Sequence, residues 1–312
     1  MEPLKKHRQK LLIVGGGDVA RRTLPRLLGR YRIYVLLRDA TQAAFWRSRG
    51  ARPILADLDR PESLKRLAGL ADLVLHFAPP SERGSEDLRT RNLIAALKHA
   101  KSLPQRLIYI STSGVYGDCG GAHIDETRIP QPTTARARRR TDAERQLRRF
   151  GRESGVAVSI LRAPGIYAAD RLPLDRLRRG VQALRPEDDV FTNHIHADDL
   201  ALLVCAALRR GRANRCYNAS DDSQLRMGEY FDLVADRFDL PRAPRISRHE
   251  AQQQLSPIQL SFMSESRRLD NQRIRRELRA RLRYPQVEDG IAAAYADSTA
   301  APAPTPTPFQ EN

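Results

Sequence analysis

The feature that most constrains the fold is a run of aliphatic residues followed by three glycines near the start of the chain. Leu11–Val14 is typical of a buried strand, and Gly15-x-Gly17-x-x-Ala20 fits the pattern that opens a helix in dinucleotide-binding folds. Small residues are needed because the backbone must turn tightly and let a pyrophosphate approach the helix N-terminus. The predicted phosphate-binding loop consists of Gly15, Gly16, Gly17, Asp18, Val19 and Ala20.

Short apolar runs alternate with longer amphipathic segments over the first half of the chain. Strands are predicted at 11–14, 33–37, 53–55, 73–77, 107–110 and 156–161. Helices are predicted near 18–30, 41–49, 61–69, 85–100 and 133–154. Strands that are apolar on both faces and separated by helices indicate a parallel sheet covered on both sides. We therefore expect an α/β protein with a doubly wound Rossmann-type parallel sheet and a smaller, mostly helical C-terminal substrate lobe.

The chain divides into four expected parts. They are a basic N-terminal extension (1–10), a Rossmann dinucleotide-binding domain (11–165, with contributions from about 190–217), a smaller substrate lobe (166–295) and a disordered Pro-rich tail (296–312). Within the lobe, helices are predicted at 226–238 and 265–283. The tail prediction rests on its alternating prolines, which forbid helix and favour an extended chain.

The charge balance raises the question of a nucleic-acid partner. Lys plus Arg total 54 against 37 Asp plus Glu, for a formal charge of +17. The arginines are spread through nearly every predicted helix, and the sequence has neither a DNA- or RNA-binding motif nor aromatic residues between its basic runs. Nucleic-acid binding therefore rests on charge alone, and we expect a small-molecule substrate with no specific nucleic acid.

The cysteines and the apolar runs bear on the compartment. Three scattered cysteines provide no disulfide framework, which favours a reducing, cytoplasmic compartment. The longest later apolar run, Leu200–Leu208, is far shorter than the roughly 20 residues that span a bilayer. We therefore expect no membrane segment.

Five motifs follow the predicted strands in a fixed order. Asp57-Leu58 follows the third strand, His76–Pro79 the fourth, Ser111–Gly117 the fifth and Leu161–Tyr167 the sixth, with Ile195–Leu200 coming later. In this order and spacing, over about residues 11–290, the chain resembles the extended short-chain dehydrogenase/reductases, the NAD-dependent epimerase/dehydratase group. That superfamily's habit of pairing through two helices of the large domain makes a homodimer an expectation by analogy.

The resemblance implies functional roles by position. Thr112, four residues before Tyr116, matches the family's catalytic Ser or Thr. The residues implied to contact the cofactor, from the adenine to the nicotinamide, are Asp57, Leu58, Phe77, Ala78, Pro79, Pro164 and Ile166.

The end of the second strand bears on the choice of cofactor. NAD-binding sites usually place a carboxylate there against the ribose 2′-hydroxyl, whereas an arginine can face the 2′-phosphate of NADP. The sequence has Arg38 followed by Asp39, which favours NADP over NAD. The alternative is that Arg38 is one of many surface arginines and Asp39 binds the hydroxyl.

The family's usual acid/base pair, Tyr-x-x-x-Lys, is missing. Aligning Pro132–Glu144 with the family's SPYGRSKLAAE-like stretch puts Arg136 at the Tyr position and Arg140 at the Lys position. Every lysine lies at or before Lys101, and no tyrosine has a lysine four residues on. A guanidinium stays protonated at physiological pH, so arginine is no substitute acid or base. Arg136 and Arg140 could bind a substrate carboxylate or phosphate, or lie on a solvated helix face.

Three further residues are candidates for the site. Tyr116 is the reserve proton donor because it is the tyrosine nearest Thr112 in sequence, although packing of its ring explains it equally well. His196 is expected to position substrate. Arg267 could bind an anionic group, although a helix start capped by Ser264 or Ser266 explains that segment without a ligand.

A metal site is not expected. His194 and His196 would share one face of a strand, but no third ligand of clear spacing follows, and Asp198 fits the N-cap of a helix.

Two functions remain open from the sequence. The first is an NAD(P)-dependent epimerase, dehydratase or oxidoreductase on a small, anionic or sugar-type substrate, working without the Tyr/Lys pair. The second is a non-catalytic NADP-binding sensor or scaffold.

Overall fold

The central sheet is built from strands that begin and end close to the predicted apolar runs. The computed structural model describes residues 8–300. The strands are β1 (Lys10–Val14), β2 (Arg32–Leu37), β3 (Arg52–Leu55), β4 (Leu73–His76), β5 (Arg106–Thr112), β6 (His123–Ile124), β7 (Ala157–Ala163), β8 (Gly165–Tyr167), β9 (Ala183–Leu184), β10 (His194–His196), β11 (Arg215–Asn218), β12 (Arg245–Ile246) and β13 (Arg268–Leu269). Seven of them form one parallel sheet in the order β11-β7-β5-β4-β1-β2-β3. The doubly wound prediction is confirmed.

Helices cover the sheet and form most of the smaller lobe. They are α1 (Asp18–Leu27), α2 (Ala43–Ser48), α3 (Leu88–Lys98), α4 (Ala135–Ser154), α5 (Leu174–Arg178), α6 (Ala197–Arg210), α7 (Met227–Arg237), α8 (Arg248–Gln254), α9 (Pro257–Phe262), α10 (Gln272–Arg276) and α11 (Val287–Ala300). The predicted helix at 61–69 is a 3₁₀ turn over Pro61–Leu67. Among residues 8–300, none of the helices combines the length and the apolar character needed to cross a bilayer.

Strand β1 shows why the sheet must be covered on both faces. Leu11 and Ile13 belong to a buried cluster with residues of α1 and α6, while Leu12 and Val14 belong to a second cluster with residues of α3 and α4. All four side chains are fully buried. Since successive side chains of a strand point to opposite faces, a continuous apolar run is stable only between two helical layers.

The smaller lobe has its own core. Phe231 and Val234 of α7 pack with Val287 and Ile291 of α11 and with Leu177 of α5. Parallel two-stranded pairs, β8 with β10 and β9 with β12, complete this part of the chain.

Two predicted boundaries are wrong. The segment 265–283 is not one helix, because Arg268–Leu269 pairs with β6 and only Gln272–Arg276 is α-helical. The backbone groups of the 268–270 segment bond across to residues 122 and 124 rather than along a helix, which favours extended chain there. The tail prediction began too early, since α11 runs to residue 300. Residues 301–312, and residues 1–7 of the predicted N-terminal extension, lie outside the described residues.

A buried ion pair joins α4 to the sheet. Arg162 Nη2 lies 2.7 Å from Glu144 Oε2, its Nε donates to Glu144 Oε1 at 3.1 Å, and both side chains are 3% exposed. Ser111 Oγ donates to the same carboxylate at 2.6 Å. The Glu144 carboxylate therefore neutralises a guanidinium that has almost no access to water.

Glu144→Ala is expected to lower the free energy of unfolding by about 3–5 kcal/mol, because it leaves Arg162 buried without a counter-charge. The measurement is urea unfolding followed by circular dichroism. Glu153→Ala is the control: it removes an exposed ion pair with Arg149 from the same helix and should leave the midpoint nearly unchanged. Equal midpoints for the two variants would contradict the prediction.

Candidate cofactor and substrate site

The glycine loop joins β1 to α1 in a conformation that needs glycine. Gly15 has φ +99°, and a Cβ there would lie 2.7 Å from the backbone N of Ala78. At Gly16 a Cβ would lie 2.5 Å from Leu37 Cδ2. A Cβ at Gly17 would meet no atom within 4 Å. The first two glycines therefore let the loop pack on its neighbours, while Gly17 leaves space open at the start of α1.

The N-terminus of α1 is suited to an anion. Gly17 is the N-cap and supplies no side-chain cap, so the first N–H groups of the ten-residue helix remain available. The nearby carboxylate of Asp18 is neutralised by Arg22 at 2.9 Å and by Arg171 at 3.2 Å. Its charge is thus balanced by guanidinium groups beside the place where a pyrophosphate would bind.

These residues open onto a cleft of about 690 Å³ at the carboxyl ends of the strands, which we call the cofactor cleft. The predicted cofactor residues that line it are Gly15, Gly16, Gly17, Asp18, Val19, Ala20, Arg38, Asp57, Leu58, Phe77, Ala78, Pro79 and Ile166. Pro164 lies outside it, in the neighbouring cavities. The free space at Gly17 and the open helix N-terminus fit the pyrophosphate of a dinucleotide.

Sequence reasoning missed several polar residues of the cofactor cleft. Arg89 of α3 pairs with Asp59 at 2.6 Å and donates to the carbonyl of Pro79 at 3.1 Å. Arg171 lines the cleft as well. Arg140, a predicted substrate-binding residue, also lies on this lining. Arg89 is brought there by packing of α3, and no spacing signal in the sequence connects it to the glycine loop.

The end of β2 places both Arg38 and Asp39 on the lining of the cofactor cleft. Hydrogen bonds from the side chain of Thr41 and from its backbone N, the latter at 2.9 Å, hold the pKa of Asp39 below its ordinary value, and the Asp39 carboxylate caps a 3₁₀ turn. The Arg38 side chain forms no ion pair or hydrogen bond within residues 8–300. Both side chains are therefore within reach of a ligand in the cleft.

Thr112 lies at the end of β5, where two further cavities meet. It lines a cavity of about 320 Å³, the junction cavity, which also contains Pro164, Arg136 and Arg267. It also lines an open groove of about 960 Å³ that is bounded by Arg38, Arg136, Arg140 and Ile166 among others. Thr112 Oγ1 accepts a hydrogen bond from Gly114 N at 3.2 Å, which leaves its hydroxyl hydrogen available to a ligand.

The two arginines predicted to lie at the Tyr and Lys positions behave differently. Arg140 Nη1 donates to the carbonyl of Ile110 at 2.8 Å and to Tyr109 Oη at 3.0 Å, so this guanidinium is held against the end of β5. Arg136 is exposed and lies over the ring of Phe262 at 4.6 Å, and it lines both the junction cavity and the open groove. Neither is simply part of a solvated helix face.

Tyr116, the predicted reserve proton donor, points into the core in this geometry. Its side chain is fully buried, and its hydroxyl donates to Asn218 Oδ1 at 2.7 Å. The Arg162 guanidinium lies 4.6 Å from the ring, yet burial still raises the pKa of Tyr116 far above its ordinary value. The 3₁₀ turn over Ser113–Tyr116 points the ring into the core.

The structure also corrects the expectation for His196. Its Nδ1 accepts a hydrogen bond from Asp198 N at 3.2 Å, which makes His196, rather than Asp198, the N-cap of α6. Its ring packs edge-on against Tyr167 and at 4.2 Å from Tyr284. His196 is thus enclosed by aromatic rings rather than directed at substrate.

Arg267 reaches the junction cavity, but its charge is already paired. The side chain is 9% exposed, binds Glu265 Oε2 at 2.8 Å and donates to the carbonyl of Gly117. Ser266 accepts a hydrogen bond from Phe191 N instead of capping a helix. No group of three His, Cys, Asp or Glu residues that could hold a metal is found in the described range 8–300.

Beside Ile166 lies a fourth space, a cavity of about 310 Å³ in the smaller lobe, which we call the aromatic cavity. It is lined by Gly165, Ile166, Tyr167, Arg171, Arg176, Val181, Thr192, His194, Met227, Tyr230, Phe231, Gln259, Phe262 and Met263. Ile166 lines the cofactor cleft, the open groove and this cavity.

Comparison with known proteins identifies the family. The model of a family described as NAD(P)H-binding matches residues 15–210. A conserved protein of unknown function from Silicibacter pomeroyi has a solved structure that aligns with a TM-score of 0.76 and 29% identity, over 93% of this chain and 99% of that one. UDP-glucose 4-epimerase from Thermotoga maritima, solved with UDP-glucose, aligns with a TM-score of 0.75 and 18% identity, over 93% and 99% of the two chains.

One relative in the comparison is a ketoreductase. The 4-hydroxy-2-methyl-3-oxo-4-farnesyl-3,4-dihydroquinoline-1-oxide ketoreductase of Stigmatella aurantiaca is 24% identical over 241 residues, which cover 71% of each chain.

The glycine loop yields a paired prediction. Gly17→Ala should leave the melting temperature of the unliganded protein nearly unchanged, because its Cβ meets open space, but should weaken NADPH binding at least tenfold by filling the approach to α1. Gly15→Ala should lower the melting temperature, because of its positive φ and the Ala78 contact. Differential scanning fluorimetry and NADPH fluorescence titration separate the two effects. Unchanged NADPH affinity in Gly17→Ala would count against the pyrophosphate assignment.

Proposed function

The chain belongs to the NAD(P)H-binding family, and from this premise we propose that it is an NADP-dependent oxidoreductase of the extended short-chain dehydrogenase/reductase type, which acts on a small carbonyl or alcohol substrate. The observation that carries the proposal is the position of Ile166, which lines the cofactor cleft, the open groove and the aromatic cavity. A small molecule in the open groove or in the aromatic cavity would lie beside the nicotinamide end of the cofactor cleft.

The residues of the cofactor cleft would hold a dinucleotide along its length. The α1 N-terminus and Gly17 would bind the pyrophosphate, Asp57 and Leu58 the adenine, and Ile166 the nicotinamide ring. Pro164 lies at the adjoining end of the open groove and would flank that ring. When bound, the cofactor supplies or accepts a hydride.

Arg38 supports the preference for NADP. Its guanidinium lines the cleft near the carboxylates of Asp39 and Asp59 but forms no ion pair within 4 Å among residues 8–300. Asp39, the residue that would bind the ribose 2′-hydroxyl of NAD, lines the same cleft, and its Oδ1 already accepts a hydrogen bond from the backbone N of Thr41. A guanidinium at the end of the second strand suits a 2′-phosphate through charge-assisted hydrogen bonds.

Thr112 and Arg136 supply the polar groups for the substrate oxygen. The hydroxyl of Thr112 would donate a hydrogen bond to that oxygen, and the Arg136 guanidinium would stabilise negative charge that develops there or on a substrate anion. The Arg140 guanidinium donates a hydrogen bond to the carbonyl of Ile110, so its role is to hold the end of β5 in position. A guanidinium does not release its proton, so solvent water provides the proton.

A non-catalytic NADP-binding sensor is the second candidate. The burial of Tyr116 favours it, because the nearest tyrosine to Thr112 is unavailable for proton transfer. A sensor would need the cofactor cleft and the Arg38 contact but not the hydroxyl of Thr112.

Arg38→Ala is expected to weaken NADPH binding at least tenfold and to change NADH binding little, because only NADPH carries the 2′-phosphate. Isothermal titration calorimetry measures both affinities. Arg32→Ala, an exposed arginine at the start of the same strand, is the matched control and should alter neither. An NADPH affinity that is equal in the Arg38→Ala and Arg32→Ala variants would overturn the preference for NADP.

Thr112→Ala separates the enzyme from the sensor. If Thr112 stabilises the oxygen in the transition state, NADPH oxidation in the presence of a panel of small ketones should fall on the order of a hundredfold in kcat, with NADPH affinity unchanged. Thr112→Ser keeps the hydroxyl and should retain most activity. Absence of turnover by the wild-type protein across the panel, together with tight NADPH binding, would favour the sensor.

A further inference from the structure

The aromatic cavity has a composition that suits one kind of ligand. We propose that it holds a planar aromatic ring of the substrate and that Arg176 pairs with an anionic substituent on that ring. This inference deepens the proposed function, on which it rests, by naming the substrate class: aromatic carbonyl or alcohol compounds that carry a carboxylate or a similar acid.

The walls of the cavity are mostly ring and sulfur surfaces. His194 stacks on Tyr230 with ring centroids 4.3 Å apart, and Tyr167 meets His194 edge-on at 6.3 Å. Met227 and Met263 lie on the lining as well. Aromatic walls bind planar rings through offset and edge contacts, and thioethers adapt to their outline.

The histidine in this wall adds no charge. His194 is buried, and burial lowers its pKa to about 4, so the imidazole is neutral at physiological pH. It therefore contributes a neutral ring to the lining rather than a cation. This leaves the arginines as the charged groups of the lining.

The two arginines of the lining differ in their partners. Arg171 is paired with Asp18 at 3.2 Å. Arg176 lies over the ring of Phe231 at 5.2 Å and has no carboxylate within 4 Å among the residues from 8 to 300. Two residues along the same helix, Arg178 is paired with Asp175 at 2.8 Å. Arg176 thus offers one uncompensated positive charge beside an apolar space.

The charged groups and ring surfaces of this lining argue against a nucleoside diphosphate in the aromatic cavity. A diphosphate would require several cationic groups, and the sugar and ribose would require polar partners for their hydroxyls. Arg176 is the one unpaired cation of the aromatic cavity's lining within the described chain. One charge and a ring-lined space match a single aromatic acid.

The test uses 2-naphthoate as the probe and the full-length protein without cofactor. Isothermal titration calorimetry should show binding by the wild-type protein and at least tenfold weaker binding by Arg176→Gln. Arg178→Gln, on the same helix, is the matched control and should bind like wild type. Uncharged 2-naphthalenemethanol should bind the wild-type protein more weakly than 2-naphthoate does. It should bind Arg176→Gln and the wild-type protein with the same affinity, because it lacks the anion.

A second variant tests the location. Val181→Trp places a ring into the aromatic cavity and should abolish naphthoate binding, while its melting temperature shows whether the fold is kept. Naphthoate binding that is unchanged in both Arg176→Gln and folded Val181→Trp would overturn the proposal. So would a competition titration in which UDP-glucose displaces naphthoate at a concentration below that of the naphthoate itself. Because these titrations contain no NADPH, failure of the proposed function would appear separately, as absent NADPH binding or turnover.

Discussion

The contact between the glycine loop and the end of β4 is the constraint on which the rest of the site depends. The backbone N–H groups of Phe77 and Ala78 both donate to the carbonyl of Val14, at 2.8 and 2.9 Å, and Gly15 packs directly on Ala78. Any side chain at Gly15 would separate these two strand ends. Their close approach forms the floor of the cofactor cleft and aims the N-terminus of α1 across it.

The helix that begins at this loop also positions the smaller lobe. Arg22 of α1 binds Asp198 at the start of α6 at 2.9 Å and Asp170, beside β8, at 3.1 Å. Such partly exposed pairs contribute at most about 1 kcal/mol each, so their main effect is geometric. They hold the segment after β8, and with it Ile166, against the opening of the cofactor cleft.

The sequence predicted those parts of the molecule that local rules determine. Glycine spacing and apolar runs placed the loop and the sheet, because turn geometry and two-sided burial act over a few residues. They did not predict the pairing of Arg268–Leu269 with β6, which depends on a partner about 145 residues away. The inward rotation of Tyr116 and the capping role of His196 were missed for the same reason, since each is decided by tertiary neighbours.

Arg140, which is predicted to lie at the family's lysine position, has a structural role in this geometry. In the usual pair, a lysine lowers the pKa of a tyrosine that exchanges a proton with the substrate. Here Arg140 instead binds the carbonyl of Ile110, and the hydroxyl of Thr112 stands without an ionisable partner. Proton supply then falls to water, a weaker acid than a tuned tyrosine, so the barrier depends more on how well the developing oxyanion is stabilised. Hydride addition leaves that oxyanion on a saturated carbon, where a neighbouring ring of the substrate cannot delocalise its charge. The stabilisation therefore falls to a positive group of the protein, and the Arg136 guanidinium, which lines the junction cavity together with Thr112, is placed to supply it.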